Sequence, residues 1–157
     1  MKIEFWVIGK TNKSYLEEGI AEYQKRLERY LPFQMQIWPD VKNASKLSAA
    51  QLKIKEGQAI LSKLQKDDYL ILLDERGKTF TSVEFAQQME WLLGISYKRA
   101  IFLVGGAYGF SEELYNRSNR KISLSNMTFS HQMIRLFFLE QLYRAMTILR
   151  NEPYHNS

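Results

Sequence analysis

The chain of 157 residues contains no cysteine. Disulfide frameworks, cysteine-ligated zinc sites and thiolate nucleophiles are therefore excluded. Its only two histidines, His131 and His155, lie too far apart in the sequence to predict a pair of metal ligands, and we expect no metal site. Three prolines and eight glycines are too few for a collagen-like or low-complexity chain.

Long hydrophobic runs are also lacking. The longest nearly apolar stretch covers residues 100–110, well short of the roughly 18 residues that a membrane span needs. The first four residues include one lysine and then a glutamate, which is not the charge pattern of a signal peptide. We therefore expect a soluble cytoplasmic protein that makes no use of a membrane.

What is present is typical of one globular domain, and we predict a single domain over residues 1–157. Apolar residues make up 45% of the chain and aromatic residues 13%, which excludes a disordered protein. The formal net charge is +5. A basic excess of this size permits a polyanionic partner without establishing one.

Apolar periodicity changes in type along the chain and predicts alternating strands and helices. The predicted strands cover residues 2–9, 33–38, 69–73, 100–104 and 121–124. The predicted helices cover residues 14–29, 48–64, 81–93 and 130–150, with a short one from Ser111. Ser14 is the expected N-cap of the first helix, with Glu17 three residues on. This alternation favours an α/β fold, a parallel sheet with helices on both faces.

Three glycine-containing segments lie at or after the ends of predicted strands, but none is a standard nucleotide motif. A P-loop ending at Gly9 or Gly77 needs a glycine five residues earlier, and Glu4 and Leu72 stand there. The cluster at residues 105–109 comes too late in the chain for a dinucleotide fingerprint. It does follow a parallel strand, where open α/β sheets bind ligands, and the alternative is a plain strand-to-helix turn.

The last predicted helix is apolar around most of its circumference. Such a helix must be covered on all sides. One solution is to pack one side on the sheet and the other on a second subunit; the other is complete burial within one chain. Glu140 and Arg144 are four residues apart on it and could pair, although Arg144 could instead face a site.

Several motifs together resemble the RlmH family of SPOUT-class RNA methyltransferases. They are the N-terminal KIEFWVIGK, Lys55-Glu56-Gly57, Leu73-Asp74-x-x-Gly77-Lys78, Gly105-Gly106-x-x-Gly109, Leu124-Ser125-x-Met127-Thr128-Phe129-x-His131-Gln132-x-x-Arg135, Glu140-Gln141-x-Tyr143-Arg144-Ala145 and Pro153-Tyr154-His155. The resemblance runs from end to end. Its most specific part is residues 124–144 together with the Pro-Tyr-His tail.

The resemblance implies a SPOUT-type parallel α/β sheet whose C-terminal part forms a trefoil knot, in a homodimer. It implies transfer of a methyl group from S-adenosyl-L-methionine to N3 of a pseudouridine. The implied target is a 23S rRNA stem-loop at the subunit interface of the assembled ribosome. No metal is implied.

The resemblance also assigns site residues. The methyl donor is expected against Leu73, Gly105, Leu124, Ser125, Asn126, Met127, Thr128 and Phe129. The residues expected to act at the nucleobase are Arg144, Tyr154 and His155. Two departures from the family pattern stand out: Ser130 where proline is expected, and the charged Glu75-Arg76 pair at the turn after the third strand.

The absence of cysteine agrees with transfer to a ring nitrogen, because methylation at carbon 5 of a pyrimidine commonly uses a cysteine adduct. Loss of the N3 proton leaves negative charge on the ring, which an arginine can stabilise. Two other functions are open: a non-catalytic basic RNA-binding module and a small-molecule methyltransferase. The lack of an RNP-type or KH-type motif counts against the RNA-binding module.

Overall fold

The computed structural model describes residues 1–156. The strands are β1 (Lys2–Ile8), β2 (Phe33–Trp38), β3 (Tyr69–Thr79), β4 (Arg99–Val104) and β5 (Arg120–Ser123). The helices are α1 (Ser14–Leu27), α2 (Ala49–Leu61), α3 (Ser82–Gly94), α4 (Glu112–Arg117) and α5 (Met133–Leu149), with a short 3-10 helix at Ala44–Lys46. The predicted alternation of strands and helices is confirmed.

The five strands form one sheet in the order β2-β1-β4-β3-β5. Every neighbouring pair is parallel, as predicted. Because all strands run the same way, their carboxyl ends share one edge of the sheet. The loops that follow β1, β3, β4 and β5 therefore come together at that edge, where parallel sheets place ligands.

Helices cover both faces of the sheet, which explains why the central strands read as continuous apolar runs. In β4, Phe102 packs with Phe138 of α5 on one face, while Leu103 faces the opposite side. The first face also buries α1 and α3, through Leu16 and Phe85. The other face is covered by α2 and α4.

Helix ends differ from the prediction by up to three residues; α2, for example, ends at Leu61 and not at residue 64. Ser14 is the first residue of α1 and not its N-cap; the N-cap is Lys13, with no side-chain hydrogen bond. α5 begins at Met133 and not at Ser130. The Ser130 hydroxyl does accept a hydrogen bond from the Met133 backbone N–H at 3.1 Å, so it stabilises the turn that leads into α5.

Strand β3 is longer than predicted because it continues past the apolar run that ends at Leu73. Its second part pairs again with β5, Lys78 opposite Ile122, after a shift of register. Gly77 makes this possible, since a Cβ there would lie 2.6 Å from the backbone of Ile122. The charged pair Glu75-Arg76 lies within this exposed extension of the strand.

Candidate functional site

A cavity of about 510 Å³ opens where β4 and β5 end, beside residues 73–75 of β3; we call it the carboxyl-edge cavity. Its apolar side chains include Leu73, Val104, Leu124, Phe129 and Ile134, and its polar ones include Asp74, Ser125, Thr128 and His131. Its size lies in the range of small-molecule sites, and a mostly apolar lining with a few polar groups is typical of them.

Glycines shape the wall that follows β4. Gly109 has φ +85, a conformation that L side chains rarely adopt. A Cβ on Gly105 would lie 3.1 Å from both the Gly109 carbonyl oxygen and the Phe110 ring. The loop therefore folds back tightly on itself and exposes backbone to the cavity, with little side chain in between.

The opposite wall is the loop after β5. The Ser125 hydroxyl accepts a hydrogen bond from the Met127 backbone N–H at 2.9 Å, and the Ser123 hydroxyl donates to the Ser125 carbonyl at 2.8 Å. These local bonds hold a compact turn that is neither helix nor strand. Met127 is 77% exposed at the rim of the cavity.

The structure brings together seven of the eight residues that the sequence assigns to the methyl donor. Those on the cavity wall are Leu73, Gly105, Leu124, Ser125, Met127, Thr128 and Phe129. Asn126 is exposed and is not part of that wall.

Arg135 ties the start of α5 to the end of β1. It is 1% exposed and donates hydrogen bonds to the carbonyl oxygens of Ile8 and Gly9, at 2.9 and 2.8 Å. It also donates to the Thr11 hydroxyl at 3.2 Å. This buried guanidinium fixes where α5 passes the sheet, and thereby the position of the loop before it.

The residues predicted to act at the nucleobase form a second group. Arg144 Nη1 lies 3.0 Å from Nδ1 of His155, and its Nη2 donates to Glu140 at 2.5 Å. The Tyr154 ring lies 4.9 Å from the Arg144 guanidinium carbon. We call Arg144, Tyr154, His155 and Glu140 the tail cluster. Sequence reasoning paired Glu140 with Arg144 but did not assign it to the site.

Hydrogen bonds set the ionisation of the tail cluster. The hydrogen bond to Glu140 raises the pKa of Arg144, so the guanidinium stays charged. Burial, followed by the hydrogen bond to Tyr23, raises the pKa of Tyr154 well above its ordinary value. The phenol is therefore protonated at neutral pH and serves as a hydrogen-bond donor.

The carboxyl-edge cavity and the tail cluster are separate within one chain. Ile134 lines the cavity and Arg144 lies ten residues further along α5, which at 1.5 Å per residue is about 15 Å. Between them is a smaller cavity of about 210 Å³ that includes Leu124, Phe129, Phe137 and Glu140. Sequence reasoning could not find this separation, because it did not show which residues of α5 line the cavity.

Other polar residues at the cavity were also missed. Asp74 accepts a hydrogen bond from the Tyr115 hydroxyl at 2.7 Å, and burial raises the pKa of Tyr115 to about 12. His131 lies between the carboxyl-edge cavity and a groove beside β1 and β2. Burial lowers the pKa of His131, so its imidazole is neutral at physiological pH.

Neither a cluster of metal ligands nor a membrane-spanning helix is seen among the described residues. Within residues 1–156, no three histidine, cysteine or acidic side chains come together as a metal site. Within the same residues, no helix is both long enough and apolar enough to cross a membrane.

A parallel α/β sheet with a ligand-sized cavity at its carboxyl edge is one of the architectures found among methyltransferases. The family described as predicted SPOUT methyltransferase matches residues 1–155. Two similar proteins are both named ribosomal RNA large subunit methyltransferase H. The one from Parabacteroides distasonis is 58% identical over 99% of each chain, and that from Flavobacterium johnsoniae is 54% identical over the same share. The chain therefore belongs to the SPOUT methyltransferases, and among them to the RlmH family; the resemblance predicted from the sequence is confirmed.

Proposed function

We propose that this chain methylates the RNA of the large ribosomal subunit, with S-adenosyl-L-methionine as methyl donor. The target would be N3 of a pseudouridine in a 23S rRNA stem-loop, reached at the subunit interface of the assembled ribosome. Membership of the RlmH family supports the reaction class. The observation that carries the proposal is the carboxyl-edge cavity, where seven of the residues expected to hold the donor converge.

The cavity suits a donor of this kind. Apolar side chains on two walls can enclose an adenine ring, while the side chains of Ser125 and Thr128 on the same cavity can hydrogen-bond to its polar edge. The glycine-shaped wall lets a ligand approach the backbone closely. When bound, the donor supplies an electrophilic methyl group on a sulfonium, and the protein has only to align the nucleophile and favour its deprotonated form.

The tail cluster would act at the nucleobase. The charged Arg144 stabilises the anion that forms when N3 loses its proton. Tyr154, held as a neutral phenol, donates a hydrogen bond and does not take that proton. Of the three residues assigned to the base, His155 is then the proton acceptor, through a ring nitrogen that Arg144 contacts in the free protein.

A homodimer would bring the two parts of the site together. The tail cluster lies about 15 Å from the donor cavity along its own helix, and apolar side chains nearby are uncovered: Phe137 is 38% exposed and Met127 77%. A second copy covering this surface places its own tail at the cavity of the first. This supports a site composed of one subunit's cavity and its partner's tail.

The C-terminal trefoil knot also belongs to the proposal. After β5 at the sheet edge, the chain crosses the carboxyl ends of β3 and β4 to reach β1, where Arg135 is anchored. It does so beside the β3 extension at residues 74–79, which pairs back onto β5. We infer that the threading expected of the fold would occur at this crossing.

The first test is calorimetric titration with S-adenosylmethionine, or S-adenosylhomocysteine if turnover interferes. We expect saturable binding that Gly105→Leu abolishes, because a side chain there meets Gly109 and Phe110. Gly94→Leu is the matched control, since a Cβ on Gly94 has no neighbour within 4 Å. Tritium transfer from the donor to ribosomes then tests the reaction; RNA binding with no donor binding would favour a non-catalytic module instead.

A further inference from the structure

A buried acidic side chain lies directly behind the glycine-shaped wall of the carboxyl-edge cavity. Glu56 of α2 is only 7% exposed. A Cβ built on Gly106 would lie 2.5 Å from Oε2 of Glu56 and 2.7 Å from Oε1. Gly106 itself lines the cavity. Gly106, which has no side chain, therefore lies next to both this carboxyl group and the cavity.

Glu56 has no cationic partner in the described chain. None of the ion pairs or side-chain hydrogen bonds among residues 1–156 involves it. The charged side chain that interacts with it electrostatically is another acid, Asp40, in the segment after β2. Arg135 and His131, at the start of α5, face Asp40. Burial, and secondly the charge of Asp40, raise the pKa of Glu56 to about 7.

An unpaired buried carboxylate is costly, and a positive charge nearby removes much of that cost. The proposed donor carries such a charge on its sulfonium, whereas the product, S-adenosylhomocysteine, has a neutral thioether at the same place. We propose that Glu56 in its ionised form is the counter-ion of the donor's positive charge, acting across Gly106. This inference rests on the proposed function. It would thereby favour binding of donor over product.

The proposal has a thermodynamic consequence. If the donor's charge stabilises ionised Glu56, binding lowers the pKa of that carboxyl group and releases its proton to solvent. Linkage then requires donor affinity to rise with pH through the range where free Glu56 titrates. The product lacks the sulfonium charge, so its affinity rises less. The preference for donor over product must therefore increase with pH.

The test is the ratio of the dissociation constants of S-adenosylhomocysteine and S-adenosylmethionine, measured by calorimetry on the full-length protein from about pH 5.5 to about pH 8.5. We expect the preference for the donor to rise about five- to tenfold over that range, where tenfold corresponds to one unit of pKa. Repeating the titrations in buffers of different ionisation enthalpy counts the protons released. Donor binding should release more protons than product binding near neutral pH.

Glu56→Gln is the main variant, because it keeps the shape of the neutral carboxyl group and cannot ionise. We expect it to bind both ligands with a ratio that no longer changes with pH, apart from the titration of the ligands' own amino groups. Asp40→Asn is the second variant. Removing that negative charge lowers the pKa of Glu56, so the rise in preference should move to lower pH without disappearing.

The outcomes separate this inference from the function on which it rests. If neither ligand binds, the proposed function fails. If both bind but Glu56→Gln has the same pH-dependent preference as the unmodified protein, the function stands and the role of Glu56 is wrong. If Asp40→Asn leaves the midpoint unchanged while Glu56→Gln removes the effect, the role of Glu56 stands and only its coupling to Asp40 is wrong.

Discussion

Arg144 and His155 are joined by a contact of 3.0 Å between Nη1 and Nδ1, across eleven residues of chain. The arginine N–H donates, so the imidazole accepts through Nδ1. The Glu152 carboxylate makes a second contact, because it accepts a hydrogen bond from the Tyr30 hydroxyl at 2.6 Å. Residues 152–155 are thus folded onto α5 and onto the turn that follows α1.

Replacing Arg144 by alanine is expected to abolish methyl transfer while leaving donor binding intact. In the proposed mechanism the guanidinium stabilises the anionic nucleobase, and it lies about 15 Å along α5 from the carboxyl-edge cavity. Single-turnover transfer to ribosomes should fall at least about 100-fold, by analogy with the loss of one stabilising donor in other enzymes. Arg150→Ala, an exposed arginine just beyond the same helix, is the control. Normal transfer by Arg144→Ala would contradict the assignment.

Deleting residues 153–157 is expected to have a similar effect by removing Tyr154 and His155 together. Donor affinity and dimerisation should be unchanged, because neither the carboxyl-edge cavity nor the exposed apolar side chains of α5 belong to this segment. Calorimetry checks the donor affinity, light scattering checks dimerisation, and methylation of ribosomes checks the loss of methyl transfer. Loss of donor binding in the truncated protein would show that the tail helps to form the cavity.

A mixture of two inactive variants is expected to regain activity if the site is shared between subunits. Arg144→Ala has an intact cavity, and Gly105→Leu has an intact tail. In a mixed dimer, the cavity of the first meets the tail of the second, so random exchange should restore about a quarter of full activity. A site formed within one chain predicts no recovery, since every chain then carries one defect.

Much of the fold, and part of the wall of the carboxyl-edge cavity, could be predicted from the sequence for physical reasons. The apolar runs of β3 and β4 are continuous because both faces of a parallel sheet are buried. Residues that follow parallel strands must meet at the carboxyl edge, so Gly105 and residues 124–129 could be placed together. Asn126 lies in the same turn but is exposed and is not on the cavity wall, because the direction of one side chain in an irregular turn depends on local hydrogen bonds; its assignment to the donor stays a prediction.

Features that depend on contacts between distant parts of the chain could not be predicted from the sequence. The extension of β3 to Thr79 runs through charged residues with no strand periodicity, and only its pairing with β5 defines it. The isolation of Glu56 depends on how α2 packs against the loop after β4. Glu56 belongs to one of the motifs that carry the family resemblance, but the motif could not show that the carboxyl group lacks a cation.

Gly77→Ala is expected to destabilise the protein, because its Cβ would lie 2.6 Å from the backbone of Ile122 and one strand must move. The free energy of unfolding should fall by at least about 2 kcal/mol, as in other overpacked interiors. Gly94→Ala, where the Cβ has open space at the end of α3, should be neutral or slightly stabilising. Denaturant unfolding checks both; equal stability of the two variants would show that β3 and β5 are not held this closely.

Glu56 should also make the free energy of unfolding of the free protein depend on pH. Its pKa is raised from an ordinary 4.5 to about 7 on folding, so the native state holds a proton that the unfolded state has lost. Between these two values the free energy of unfolding falls as the pH rises, by up to about 3 kcal/mol in total for this one group. Below the lower value, both states are protonated and the contribution is constant.

Glu56→Gln is therefore expected to match the unmodified protein in acid and to exceed it in stability above about pH 7. Urea unfolding at a series of pH values checks this, with Glu75→Gln as the control because that carboxylate is exposed. A saturating amount of donor should shrink the difference, since the bound sulfonium offsets the cost of the ionised carboxylate. Parallel stability curves for the two proteins across the whole range would mean that Glu56 is solvated or paired, and the argument for its role at the donor would lose its physical basis.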